Sequence, residues 1–272
     1  MFATRSLLAL LVVFAMLTAL PASSIASHSW GNYHWARQSN SFTLSLGDNV
    51  STEWNTYLWT ASDKWSESTV LNTIVVRGGT KPKPCKPTAG RVEVCSSAYG
   101  FTGWLGIAQI WVSGSHITQG ITKVNDSYFD TAKYNTEAWR NLVICQEIGH
   151  TFGLDHQDEN FSNANLGTCM DYTNNPETNQ YPNAHDFQQL QTIYSHLDAF
   201  TTVSQSSQTG KPAADPEDVI EVGTAQWGRL IRSTNRGRTE LFELDLGGGH
   251  KKFTFVIWAD PEDQPGAGRG RR

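Results

Sequence analysis

The stretch CQEIGHTFGLDHQDEN, residues 145–160, constrains the fold more than any other part of the sequence. It ends the clearest helical pattern in the chain, which begins at Glu137, where a negative charge suits the first turn of a helix. Gly153 is well placed to end that helix. The sequence therefore predicts a helix over residues 137–152 with one continuous face. The residues on that face are Trp139, Leu142, Val143, Gln146 and His150.

The polar residues of this helix are spaced for metal ligation. Residues four apart stack on one helix face, so Gln146 and His150 project side by side and could both reach one ion. Glu147 is offset by one position, which keeps it out of direct ligation but near enough to hold a metal-bound water. The turn at Gly153 then brings His156 back as a third ligand. The pattern predicts a metal site with Gln146, His150 and His156 as ligands.

A second motif, GTCMDY, follows with Met170 fourteen residues after His156. Together, EIGHTFGLDH and CMDY resemble the signature of the metzincin clan of zinc endopeptidases, H-E-x-x-H-x-x-G-x-x-H with a later Met-turn. The order of predicted strands and helices over residues 41–200 is similar to that clan as well. The wording of the first motif is close to that of matrixins, whereas Tyr172 is similar to astacins and serralysins. Gln146 departs from the signature, which has its first histidine at that position.

The resemblance implies a fold and a mechanism. The fold is an α+β, metzincin-like domain with a twisted mixed sheet, an active-site helix and a C-terminal helix. In such enzymes Zn²⁺ polarises the scissile carbonyl of a protein or peptide substrate and activates water. Glu147 would be the general base, Tyr172 would steady the oxyanion, and Met170 would form the apolar floor under the metal. A Cys145–Cys169 disulfide would fit this arrangement, because it would tie the site helix to the Met-turn.

Gln146 leaves three outcomes open for the metal. A neutral amide oxygen is a poorer donor to zinc than an imidazole nitrogen, so the substitution should weaken zinc binding. The amide could still ligate through its oxygen, or it could stand aside while His150, His156, Tyr172 and waters complete the shell. In the third outcome the site is empty. The chain would then be a catalytically silent, secreted protein- or glycan-binding domain instead of the zinc-dependent metalloendopeptidase that we otherwise expect.

The N-terminal segment has the features of a signal peptide. Arg5 precedes an apolar run from Leu7 to Leu20, and small residues follow, so we expect removal of residues 1–26 and a mature chain that begins at Ser27. The apolar run is shorter than the roughly 20 residues that a membrane-spanning helix needs. We therefore expect a secreted, extracellular protein without stable membrane insertion.

The expected mature chain contains four cysteines, which fit two disulfides in an oxidising compartment. The sequence alone allows three pairings. Besides Cys145–Cys169, we favour Cys85–Cys95, which would close the loop KPKPCKPTAGRVEVC. No cysteine precedes Cys85 in the sequence, so we expect the site to be restrained by something other than a cysteine bound to the metal.

Residues 27–200 contain the strands and helices expected of one α+β domain. Segments rich in β-branched residues predict strands, and apolar spacings of three and four predict helices. The stretch before residue 100 is rich in Pro, Lys and Gly, and is predicted to be a loop. The predicted strands are 41–50, 71–79, 104–113 and 116–126, and the predicted helices besides the site helix are 51–68 and 184–197.

The C-terminal part begins with a linker. Residues 201–218 are rich in Ser, Gln, Pro and Ala and have no apolar periodicity. In residues 219–272 three short strands follow, GRLIRS, ELFELDL and KKFTFVIWA, before a basic tail. About 50 residues is marginal for an independent domain. This segment is therefore either a small β module, for instance one that binds glycans, or a hairpin that packs back on the main body.

The overall charge says little about partners. A net charge of −5 favours neither nucleic acid nor an anionic membrane, and we expect a monomer. Asp155, Asp158 and Glu159 form an acidic cluster that could bind Ca²⁺.

Three further histidines, His34, His116 and His185, have no partner at ligand spacing in the sequence. His185 stands at the start of the last predicted helix, beside Asp186, where we expect it to be structural.

Overall fold

The computed structural model describes residues 28–204, 224–234 and 237–263. The predicted signal peptide, most of the predicted linker and the basic tail lie outside the described residues. Within the described ranges, none of the helices combines the length and the apolar character needed to cross a lipid bilayer.

The described strands form one large mixed sheet, so the predicted α+β class is confirmed. The strands are β1 His34–Trp35, β2 Phe42–Asn49, β3 Leu71–Arg77, β4 Val92–Ser97, β5 Trp104–Ser113, β6 His116–Asn125, β7 Arg229–Thr234, β8 Thr239–Gly247 and β9 His250–Trp258. Their order across the sheet is β3-β2-β4-β6-β5-β9-β8-β7, and β1 pairs with β6 outside this path. Neighbours from β3 to β6 are parallel, and neighbours from β6 to β7 are antiparallel.

The helices pack against this sheet around the one that carries the candidate site. They are α1 Asn55–Trp65, α2 Asp126–Phe129, α3 Glu137–His150 and α4 Ala184–Ile193. The three longer helices match predicted ones, although each ends a few residues earlier than predicted and α1 also begins later, at Asn55. Helix α3 packs against α1 and against strands β5 and β6. The indole N–H of Trp65 in α1 donates to the carbonyl oxygen of Cys145 in α3 at 3.1 Å, which fixes one helix against the other.

Strand β4 lies in the stretch that the sequence predicts to be a loop, and that prediction is wrong for these residues. Val92 and Val94 are buried between β2 and β6, and Glu93 between them is fully buried as well. The carboxylate of Glu93 accepts hydrogen bonds from Arg91 and Asn49, each at 2.7 Å. A buried ion pair interrupts the apolar residues of this central strand. The sequence therefore lacks the continuous apolar run by which such a strand is usually identified.

Both disulfides favoured from the sequence are present. Cys85–Cys95 joins the loop before β4 to that strand, and Cys145–Cys169 joins α3 to the segment that precedes α4. Each disulfide therefore fastens an irregular segment to a regular element of the core.

The C-terminal strands pack back on the main body, which is the second of the two predicted alternatives. Strand β9 pairs antiparallel with β5 from one end to the other. On β9, Phe253 and Phe255 meet Trp30 edge-on, with ring centroids 4.7 and 4.6 Å away. The hairpin thus supplies part of the hydrophobic core, which also contains α1, α3 and the first half of the sheet.

Candidate metal centre

Helix α3 carries three of the predicted site residues into the core. Thr136 caps its N-terminus, since the hydroxyl oxygen accepts the amide of Trp139 at 3.2 Å. Every residue of the helix after the first is buried, and Gln146, Glu147 and His150 are at most 1% exposed. Polar side chains buried this deeply need partners, and those partners define the site.

Gly153 turns the chain back toward the helix. Its φ of +95° is a left-handed conformation that favours glycine, and its amide donates to the carbonyl of His150 at 3.1 Å. The carbonyl oxygen of Leu154 lies 2.9 Å from Nδ1 of His150. Because a carbonyl only accepts, this contact assigns the proton to Nδ1 and leaves Nε2 with the lone pair. His150 is therefore held in the tautomer of a metal ligand.

His156 meets His150 at the end of this turn. Their Nε2 atoms are 2.9 Å apart, and the two rings are inclined by 76°. On the other side of His156, Nδ1 lies 2.9 Å from the hydroxyl of Tyr172. Two nitrogens that share a tetrahedral zinc ion, with bonds of about 2.0–2.1 Å, are about 3.3 Å apart. The two predicted histidine ligands are therefore within a few tenths of an ångström of the separation that zinc requires.

Gln146 has an amide oxygen without a protein partner. Its amide nitrogen donates to the carbonyl of Cys169 at 2.8 Å, which identifies the other terminal atom as the oxygen. Among the described residues this buried oxygen has no hydrogen-bond partner, and neither has Oε2 of Glu147. Each unpaired buried oxygen costs about 1–3 kcal/mol, which a bound cation or its water would offset. An amide oxygen and a carboxylate oxygen of α3 are thus left for a cation, and the two imidazole nitrogens are ligands that zinc accepts.

The segment that carries Met170 is held directly against α3. The Cys145–Cys169 disulfide joins the two segments one residue before Gln146 and one residue before Met170. A Cβ added to Gly149 would lie 2.6 Å from Sδ of Met170, so only glycine admits the methionine here. Met170 is fully buried against the site helix, at the position expected of an apolar floor.

Burial dominates the electrostatics of the centre. It raises the pKa of Glu147 and the pKa of Tyr172 well above their ordinary values. Burial, followed by repulsion from His156, lowers the pKa of His150 well below its ordinary value. All three groups therefore favour their neutral forms. Neutral imidazole is the form that binds a metal, whereas Glu147 has to be ionised to act as a base, and a nearby cation would favour that form.

The C-terminal strands cover the centre. The ring of Phe255 on β9 stacks on that of His150, with centroids 4.1 Å apart and planes inclined by 2°. The guanidinium of Arg232 on β7 donates to both carboxylate oxygens of Asp155. The cavity that remains between His156 and strands β7 to β9 is about 10 Å³, which is room for about one water. A peptide cannot reach the two histidines in this arrangement.

The acidic cluster predicted to bind Ca²⁺ is engaged by protein groups. Arg232 occupies both oxygens of Asp155 and lies 3.5 Å from Glu159. Asp158 accepts the amide of Asn160 at 2.5 Å. Calcium binding stays a prediction that these contacts do not favour.

The three histidines without a partner in the sequence separate into two groups. His185 stacks on His28 at the start of α4, with ring centroids 4.8 Å apart. His34 and His116 both approach Oδ1 of Asp198, at Nε2–Oδ1 distances of 3.5 and 3.2 Å. Sequence reasoning missed this second cluster because its members come from distant segments, and their only common signal is residue type.

No protein-family model matches the chain, and no curated protein matches it. The likeness to metzincins therefore rests on the two motifs and on the order of the elements.

Replacing Gly153 by alanine should destabilise the fold. A Cβ at this position would lie 2.3 Å from the carbonyl oxygen of Tyr33, and alanine also resists a positive φ. We expect the free energy of unfolding, measured by urea denaturation, to fall by about 3 kcal/mol or more. Gly100→Ala is the matched control, because Gly100 has a φ of +83° but no neighbour within 4 Å, and it should cost about 1–2 kcal/mol. Equal losses would contradict the role of the Tyr33 contact.

Proposed function

We propose that this chain is a secreted, zinc-dependent metalloendopeptidase that is held closed by its own C-terminal strands. The observation that carries the proposal is the buried convergence at α3. Two imidazole Nε2 atoms lie 2.9 Å apart, and the same helix carries an amide oxygen and a carboxylate oxygen that have no protein partner among the described residues. Two disulfides support an oxidising, extracellular setting.

His150, His156 and Gln146 would hold the zinc ion. When bound, the ion acts as a Lewis acid toward the scissile carbonyl and toward water. The carbonyl of Leu154 and the hydroxyl of Tyr172 contact the Nδ1 atoms of the two histidines and orient both rings. Such contacts behind the ligands strengthen metal binding, which offsets part of the weakness of an amide donor.

Glu147 is placed to move protons. Its Oε2 has no partner among the described residues, and burial raises its pKa. Gly106 on β5 makes room for it, since a Cβ there would lie 2.7 Å from Oε1 of Glu147. The carboxylate would accept a proton from the attacking water beside β5 and return it to the leaving amine. The hydroxyl of Tyr172 contacts Nδ1 of His156, on the side of the ring away from Nε2, so it would orient this ligand, and the contact does not favour the oxyanion role that the resemblance implies.

Strand β5 is the surface on which an extended substrate would bind. It is the outermost strand of the sheet formed by the residues before the predicted linker, and extended peptides commonly bind by adding a strand to such an edge. Strand β9 takes this place, antiparallel to β5, while Phe255 covers His150. The C-terminal strands would therefore have to leave β5 before a substrate could be cleaved.

Two arginines hold the C-terminal strands over the loop that follows α3. Arg232 pairs with both oxygens of Asp155. Arg238 donates to Asn174 at 2.7 Å, and its guanidinium lies 4.1 Å from the ring centroid of Phe161. These contacts would supply the restraint that the sequence does not provide through a cysteine.

A catalytically silent binding domain is the second candidate function. The stacking of Phe255 on His150 favours it, because a cleft filled by its own chain suits a protein that no longer cleaves. The two candidates differ in whether metal binding depends on Gln146 and in whether opening the cleft produces cleavage.

Variants at position 146 should change the zinc affinity of the full-length protein. Gln146→His should raise it by about tenfold or more, because imidazole is the better donor. Gln146→Leu keeps the size of the side chain but removes the oxygen, so it should lose one zinc equivalent. Both are measured by competition with a chelator and elemental analysis. Equal zinc affinity and content in the wild type and both variants would contradict a metal at this centre.

Arg232→Ala should increase cleavage of casein. Losing this partly exposed ion pair costs the closed state about 1 kcal/mol or less after screening, which corresponds to up to about fivefold more of the open form. Arg229→Ala is the matched control, because Arg229 lies on the same strand but pairs with Glu243 at 3.5 Å, away from the site loop. Adding Glu147→Gln to Arg232→Ala should abolish cleavage. Activity that is unchanged in Arg232→Ala, or that survives Glu147→Gln, would count against the proposal.

A further inference from the structure

We propose a second metal site, formed by His34, His116, His196 and Asp198, that binds a divalent transition metal such as Zn²⁺. The Nε2 atoms of the three histidines lie 3.5, 3.2 and 3.7 Å from Oδ1 of Asp198. The Nε2 atoms of His34 and His196 lie 3.3 Å from each other. Ligand atoms around a tetrahedral zinc ion, with bonds of about 2.0–2.1 Å, are about 3.3 Å apart. His34, His116 and Asp198 offer ligand atoms that all lie within 4.8 Å of one another, and the largely exposed His196 lies beside them as the fourth ligand.

Hydrogen bonds on the side away from the proposed metal orient two of the ligands, His34 and Asp198. Nδ1 of His34 lies 2.6 Å from the carbonyl oxygen of Asn32, so the proton is on Nδ1 and the lone pair on Nε2. The second oxygen of Asp198 accepts the amide of Arg37 at 3.0 Å, which leaves Oδ1 to face the histidines.

Three imidazole nitrogens converge on one carboxylate oxygen in this cluster. With its proton on Nδ1, His34 turns the lone pair of Nε2 toward a carboxylate oxygen and toward Nε2 of His196. A divalent cation at this point replaces the protons that such close imidazole and carboxylate groups otherwise share. Imidazole together with carboxylate suits zinc, copper and nickel, and a closed set of four protein ligands is typical of structural zinc.

The cluster is partly buried but can be reached by an ion. The side chains of His34 and Asp198 are 7% and 9% exposed, whereas that of His196 is 55% exposed. His34 and His196 also line a surface pocket of about 450 Å³. An ion can therefore enter from the side of His196 and be held by less accessible ligands.

The ion would join three segments that are distant in sequence: β1, the start of β6 and the chain after α4. Strand β1 also supports the centre at α3, since the indole N–H of Trp35 donates to the carbonyl of Thr151 at 2.9 Å. The second metal would thus be structural, a clip that holds the N-terminal segment behind the turn that presents His156. It does not depend on the proposed peptidase activity.

Counting zinc in the full-length protein tests this site. After removal of metal with a chelator and titration with Zn²⁺, His116→Ala/His196→Ala should bind one equivalent fewer than the wild type. Zinc should raise the melting temperature of the wild type by about 5–10 °C, and most of that rise should be lost in the double variant. His250→Ala replaces an exposed histidine of the β8–β9 turn and should match the wild type in both measurements.

Two further variants distinguish loss of this site from misfolding and from changes at the centre at α3. His196→Ala alone changes a largely exposed side chain, so it should fold and still lose about tenfold or more in zinc affinity. Gln146→Leu acts only on the centre at α3 and should leave the zinc equivalent of the second site in place. When Co²⁺ replaces zinc, this variant should still show the visible absorption of tetrahedral cobalt. Zinc stoichiometry and zinc-dependent melting that are unchanged in both cluster variants would overturn the second site. Zinc binding that is unchanged only in Gln146→Leu would instead overturn the proposed function.

Discussion

The burial of α3 is the constraint on which the rest of the structure depends. This helix carries Gln146, Glu147 and His150 into a core where an unpaired polar group costs about 1–3 kcal/mol. The neighbouring segments are arranged to provide partners: the carbonyl of Cys169 accepts the amide of Gln146, and the carbonyl of Leu154 meets Nδ1 of His150. One amide oxygen and one carboxylate oxygen remain without protein partners among the described residues. Those are the atoms that a metal ligand and a general base would use.

Both ends of the described chain are needed to enclose this helix. Trp30 packs between Phe253 and Phe255 of β9, so the first and the last parts of the core meet each other. The amide of Asp155 donates to the carbonyl of His28, and its carboxylate pairs with Arg232. The strands that have the composition of an appendage are therefore part of the core and of the cover over the site. Composition predicts a linker, but it does not show where the strands after it will pair.

How far the site could be predicted from the sequence depends on how far apart in the sequence the contacting residues lie. Helical spacing placed Gln146, Glu147 and His150 on neighbouring positions, and the glycine at 153 indicated the turn to His156, because these are local properties of the backbone. The covering strands and the cluster around Asp198 depend on pairing between distant segments, which no local period encodes. Strand β4 was missed for a different reason, since its central residue is a buried carboxylate.

The strength of the closure depends more on Phe255 than on the arginines. Burying a phenylalanine side chain contributes about 1.5–3 kcal/mol, whereas the ion pair of a guanidinium that is 35% exposed, as that of Arg232 is, contributes about 1 kcal/mol or less. The stacking geometry also matters, because the phenyl ring covers the face of His150 and leaves Nε2, in the plane of the imidazole, facing Nε2 of His156. Under the proposed function, the closed form would therefore bind a metal while it excludes a peptide. Release of β9 from β5 would expose a centre that is already assembled, so the restraint acts on access to substrate and leaves the ligands in place.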